Sequence, residues 1–118
     1  MKKEFFTFSI PRTTIAGNST QTISIRLSLE MFSVHYINGN ATSGNNLYLE
    51  IKNINTNRIY MDRGVLFSSI VGTAQRPFIL PEPIELEGNS NIDLILTDTS
   101  GSNNIVDLCL IGYKIFSL

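Results

Sequence analysis

The sequence predicts an all-β fold: a single-domain, two-sheet antiparallel sandwich, of jelly-roll type, with about eight strands. Three observations predict it. Apolar and polar residues alternate with period two in one segment after another, most cleanly over residues 21–29 and 92–96. Clusters of Gly, Asn and Ser separate these segments at the spacing of β-turns. No segment of ordinary helix length fits the three-and-four spacing of an amphipathic helix without contradicting that alternation. At 118 residues the chain holds one hydrophobic core and not two, so residues 1–118 read as one domain.

Residues 5–10 alternate, with Phe6, Phe8 and Ile10 on the core-facing side and Phe5, Thr7 and Ser9 on the other. Pro11 cannot donate to a ladder, so this strand ends there or lies at a sheet edge. Residues 1–10 either dock on their own core or are exchanged with a neighbouring subunit. Residues 21–29 point Ile23, Ile25, Leu27 and Leu29 inward, and residues 30–37 continue extended, with a bulge or bend near Met31 and Phe32. Residues 38–46, rich in Gly and Asn, read as a long polar loop. Leu47, Leu49 and Ile51 define the next inward row, residues 53–57 turn, and residues 58–61 pair back. One short helical turn is expected within residues 62–75. Pro77, Pro81 and Pro83 then impose an extended entry into the closing strands. There Ile84 and Leu86 face inward, residues 88–91 turn, and Ile92, Leu94 and Leu96 share one face. After a second polar loop, residues 105–116 make the last long strand.

Charged residues make up 16% of the chain, against roughly 25% in ordinary soluble domains, and the net charge is −1. A near-neutral surface of Asn, Ser and Thr lacks the clustered Lys and Arg that nucleic acid requires. It offers little repulsion between copies, so a homo-oligomer or an assembly subunit is expected. Nothing approaches the ~20 apolar residues of a membrane span. Lys2 and Lys3 look like the start of a signal peptide, but Glu4 and the short apolar run after it do not, so synthesis in the cytoplasm without a cleaved signal is expected.

The candidate chemistry is sparse. The single cysteine, Cys109, reads as a small buried hydrophobe and makes no internal disulfide. The single histidine, His35, reads as a surface or cross-strand residue and leaves any Ser or Thr nucleophile and any zinc site short of partners. Glu82, Glu85, Glu87 and Asp93 have the spacing of a solvated strand face instead of two acids across a cleft. Residues 98–104 either wrap a calcium ion with side-chain and backbone oxygens or, through Asp98 and Thr99, bond their own backbone. No cofactor motif is present, and the four tyrosines do not make a sugar platform.

One resemblance adds to this reading. The run Phe78-Ile79-Leu80-Pro81-Glu82-Pro83-Ile84-Glu85-Leu86 leads to Ile92-Asp93-Leu94-Ile95-Leu96-Thr97-Asp98-Thr99-Ser100. With the closing strand over residues 104–114, it resembles a C-terminal signature of small β-sandwich structural virion proteins of tailed bacteriophages. The match covers about the last third of the chain, and its motifs are structural turns, so it transfers no site residue. It implies a non-enzymatic part of the particle: capsid decoration, a fibre anchor, or a ring at the head–tail junction. The expected function is therefore a virion subunit binding capsid or connector proteins in multiple copies. Phe5, Phe6 and Phe8 of the arm and Asn40, Asn45 and Asn46 of the polar loop are the candidate contacts. Removing the first ten residues is expected to leave a folded core. The alternative is a lectin-like module that binds host-surface glycans through its loops.

Overall fold

The computed structural model describes residues 2–73 and 75–116. Strict alternation makes strands, and the described residues form nine: β1 (Lys2–Ile15), β2 (Thr20–Arg26), β3 (Met31–Ala41), β4 (Leu47–Asn53), β5 (Arg58–Ile59), β6 (Val65–Leu66), β7 (Ile79–Leu86), β8 (Asn91–Asp98) and β9 (Asn104–Phe116). A 3-10 turn at Gly44–Asn46 leads into β4, and the expected helical turn is α1 (Phe67–Ile70). Sheet A has the order β1-β9-β3-β7; sheet B has the order β2-β8-β4-β5, with β6 also on β4. The antiparallel pairs β1 with β9, β2 with β8, β3 with β7 and β4 with β5 nest inside one another, like one long hairpin rolled up. That is a jelly roll.

The core lies between the two sheets. Sheet B supplies Ile25, Leu47, Leu49, Ile51, Ile92, Leu94 and Leu96, and sheet A supplies Ile10, Phe32, Val34, Ile37, Leu86, Val106, Leu108 and Leu110. Each fully buried side chain of this kind contributes about 1.5–3 kcal/mol, so the inward rows dominate stability.

The N-terminal arm docks on its own core: β1 pairs with β9 from Lys2 opposite Phe116 to Ile15 opposite Asn104. Its register shifts between Ile10 and Thr13, where Pro11 sits on the free edge of the sheet. Because Ile10 lies in the core and Phe6 and Phe8 pack against it, losing residues 1–10 would bare β9 from Leu108 to Phe116 and unpack one end. Such a truncation is therefore expected to destabilise the core and not to leave it intact.

Four further expectations are corrected. Leu29 is 75% exposed, because β2 stops at Arg26 and the chain crosses to the other sheet over residues 27–30. The bend there is a strand break, and the bulge of β3 falls later, between Val34 and Tyr36. Asn38, Gly39 and Asn40 are strand and not loop: they pair with Cys109, Leu108 and Asp107. Gly39 is needed there, since a methyl group would overlap the Asp107 carbonyl oxygen. Gly112 meets β3 in the same way at the Ser33 carbonyl. Cys109 is only half-buried and lies on the outward parity of β9, with its thiol 3.6 Å from the Ser9 hydroxyl.

Candidate protein-docking surface

The two outer faces of the sandwich differ in kind. On sheet B the outward positions are Thr20, Thr22, Ser24 and Arg26 of β2, facing Thr97, Ile95, Asp93 and Asn91 of β8. They are stitched by polar contacts: Thr20 with Thr97 at 3.0 Å, Ser24 to Asp93 at 2.7 Å and Arg26 to Asn91 at 3.4 Å. Over β2 and β8 this is a mostly polar, wet sheet surface with Ile95 among its members, and on the β4 side Tyr48, Leu66 and the exposed Ile59 are apolar.

Sheet A is different. Even-numbered residues of β9 from Asn104 to Gly112 are buried, which turns Ile105, Asp107, Cys109, Ile111, Tyr113 and Ile115 away from the core. The registers set these in rows across the sheet. Lys3, Ile115 and Met31 make one row; Phe5, Tyr113, Ser33 and Glu85 the next; Thr7, Ile111, Tyr36 and Ile79 the third; Ser9, Cys109 and Asn38 the fourth. Phe5 is 68% exposed and Ile79 is 64% exposed. The Phe5 and Tyr113 rings meet edge to face at 6.3 Å, and His35, thrown outward at the β3 bulge, meets Tyr113 at 5.2 Å. The Lys3 ammonium lies 4.7 Å from the centre of the same Tyr113 ring.

Arg12 and Asp107 form a two-pronged pair at 3.0 and 2.9 Å beside these rows. The hydrogen bond from Arg12, then its charge, holds the Asp107 carboxyl below the usual range. The same bond holds the guanidinium proton more tightly. The Oδ1 atom of Asn38, in the fourth row, is buried without a hydrogen-bond partner.

The residues expected to touch partners divide between surfaces. Phe5 belongs to the outer face of sheet A. Phe6 and Phe8 point the other way: Phe6 packs edge to face on the core ring of Phe32 at 5.3 Å and on Phe8 at 6.4 Å, under the Lys114 ammonium. Asn40 is exposed at the far end of β3, opposite Asp107. Asn45 and Asn46 are exposed in the 3-10 turn, where the Asn46 carbonyl accepts hydrogen bonds from the Thr99 amide and hydroxyl. Met31, Tyr36, Ile79, Ile111, Tyr113 and Ile115 were missed by sequence reasoning. The available signal was β9 itself, apolar on both parities, as a strand covered on both faces would be.

The loops at the end bearing Asn45 and Asn46 are organised by Asp98. Its side chain, 2% exposed, accepts from the amides of Asn18, Ser100 and Gly101, the Ser100 hydroxyl and the Asn104 amide group. Burial alone would raise the Asp98 carboxyl, but these donors outweigh it and hold the group far below the ordinary carboxylate range. Asp98 bonds its own loop through Ser100 and Gly101, as the second arrangement expects, whereas Thr99 reaches across to Asn46 and not to local backbone.

Elsewhere ionisable groups meet as exposed surface pairs, Lys2 with Glu4 at 3.2 Å and Arg63 with Asp62 at 3.6 Å. Among the described residues no three His, Cys, Asp or Glu side chains are grouped to hold a metal ion. Glu82, Glu85 and Glu87 are exposed, and Asp93 bonds Ser24. Tyr60, Arg58, Glu82 and Glu85 border an open groove, with the Tyr60 hydroxyl donating to the Glu85 carbonyl at 3.1 Å. Tyr36 and Tyr113 share the outer face of sheet A in neighbouring rows, whereas Tyr48 lies on sheet B. Among the described residues no helix is long and apolar enough to cross a membrane. No family model matches the chain, and neither the curated proteins nor the solved structures compared with it yield a match.

Proposed function

We propose that the chain is a non-enzymatic structural subunit of a tailed-bacteriophage virion, one that binds other capsid or connector proteins in multiple copies as a decoration or head–tail ring protein. The observation that carries the protein-binding part is the outer face of sheet A, where Phe5, Tyr36, Ile79, Ile111, Tyr113 and Ile115 occupy positions that a free antiparallel sheet normally gives to polar residues. An aromatic and aliphatic centre with charges at its margins is the pattern of a protein interface, in which a few buried anchors carry the affinity. The virion part rests on the resemblance of the last third of the chain, from the Pro81-Glu82-Pro83 entry to the closing strand. In a symmetric particle, repetition multiplies contacts that are weak one at a time.

The test is mass spectrometry of purified virions from the phage that encodes the chain, with quantitation against a capsid standard. Detection in multiple copies per particle, and co-purification with a capsid or connector protein, is the expected result. Particles that lack the chain would end the reading, and specific binding on a glycan array would then favour the carbohydrate alternative.

A further inference from the structure

We infer that the outer face of sheet A is occupied by a second copy of this chain, packed face to face about a twofold axis that runs along the strands. This rests on the reading above that the face is a protein-docking surface; it names the occupant and the geometry.

Size is the first argument. Four strands about 4.8 Å apart, with lengths of 8 to 14 residues at about 3.3 Å each, give roughly 700 Å² in projection. A standard interface takes about 800 Å² from each partner, so the face alone is close to the area a stable dimer needs. Aligned sheets pack in this manner inside sandwiches, about 10 Å apart and about 30° off parallel.

Charge is the second argument, and it selects the partner. A twofold along the strands keeps each row at its height and reverses its order, so the β1 margin of one copy lies over the β7 margin of the other. Glu87 continues the Lys3 row just past the end of β7, and Glu85 lies one row on, in the row of Phe5. Each copy thus sets a lysine opposite the partner's acidic margin, twice per dimer. Arg12 and Asp107 are already paired within the chain and add no like-charge repulsion. A twofold across the strands would lay β1 on β1 and would bring no such match.

Shape is the third argument. In the third row the operation brings the apolar side chains of Ile111 and Tyr36 together, and in the second it lays the large Tyr113 over the other copy's small Ser33. Large over small is how two packed sheets interdigitate. The end loops with Asn45 and Asn46 and the whole of sheet B stay free for other partners.

Sedimentation equilibrium on the purified chain and its charge variants tests this. The wild type is expected at twice the 13.2 kDa chain mass. Ile111→Lys, on the outer face and away from the core, should give a folded monomer. Lys3→Glu and Glu87→Lys should each weaken the dimer about tenfold, since every reversal acts twice, and the double reversal should recover most of that loss. A wild type that stays monomeric at about 100 μM, a dimer indifferent to Ile111→Lys, or a double reversal weaker than both singles would each overturn the inference. The two proposals fail separately. A monomer found in virions removes the pairing and keeps the function, whereas a dimer absent from virions keeps the pairing and removes the function.

Discussion

The contact between Phe6 and Phe32 offers a quantitative check on how the N-terminal strand is held. Phe32 is 1% exposed at the start of β3, and the half-buried Phe6 of β1 meets it edge to face at 5.3 Å and 82°. Trimming Phe32 to Leu removes a few buried carbons and should cost about 1–2 kcal/mol, and Phe6→Leu about 0.5–1 kcal/mol. An aromatic pair in this geometry is worth about 0.5–1.5 kcal/mol beyond its area. The double variant should therefore lose less than the two singles combined, by about that amount, because the pair can be broken only once. Against a stability of about 5–15 kcal/mol all four proteins of the cycle remain folded. Urea denaturation followed by circular dichroism, with slopes checked for constancy, measures the coupling. Additivity within about 0.3 kcal/mol would mean the rings do not touch, and the docking of β1 on its own core would be refuted.

Three other outcomes follow from the geometry. The Asp98 carboxyl titrates lower in the folded than in the unfolded chain, so the stability it contributes is complete above the unfolded value of about 3.9 and drains away as pH falls through the folded one; Asp98→Asn should flatten the acid limb of a stability-versus-pH curve and lower the neutral plateau. Gly112→Ala forces a methyl group against the Ser33 carbonyl and should cost about 1–3 kcal/mol in chemical denaturation, whereas Ala at exposed Gly101 should act through its positive φ alone. Deleting residues 1–10 should lower the thermal midpoint sharply and expose β9 to amide exchange, and an unchanged midpoint would contradict the place of Ile10 in the core.

Much of the architecture was legible because burial imposes period two on a strand with one wet face. Ile92, Leu94 and Leu96 and the facing row Leu47, Leu49 and Ile51 are buried as that pattern requires. The same rule misplaced Leu29, because periodicity does not mark where a chain leaves one sheet for the other. At that crossing the Ser28 carbonyl accepts from Asn89, and Leu27 donates to Ser90, which pins the corner to residues far along the chain. Asn38, Gly39 and Asn40 read as loop by composition, yet β3 lies between β9 and β7, and Gly39 is there for close approach of the backbones. The docking face was half visible. Phe5 stood out as an aromatic near the terminus, but Ile79, Tyr36 and Tyr113 become neighbours only through pairings that span most of the chain. Cys109 was misjudged for the same reason, since in a strand apolar on both parities sequence does not say which side is the core.

That cysteine is also the most direct probe of the central claim, that the outer face of sheet A is covered by protein when the chain does its work. Cys109 is the single thiol and sits in the fourth row of the face, so its rate of modification by a small maleimide reports on that surface. The rate should fall as protein concentration rises, stay high in Ile111→Lys, and reach one common value for both proteins in denaturant. A rate in the native wild type that is the same at every concentration and within the assembled particle would show the face open to solvent, and the account would be contradicted.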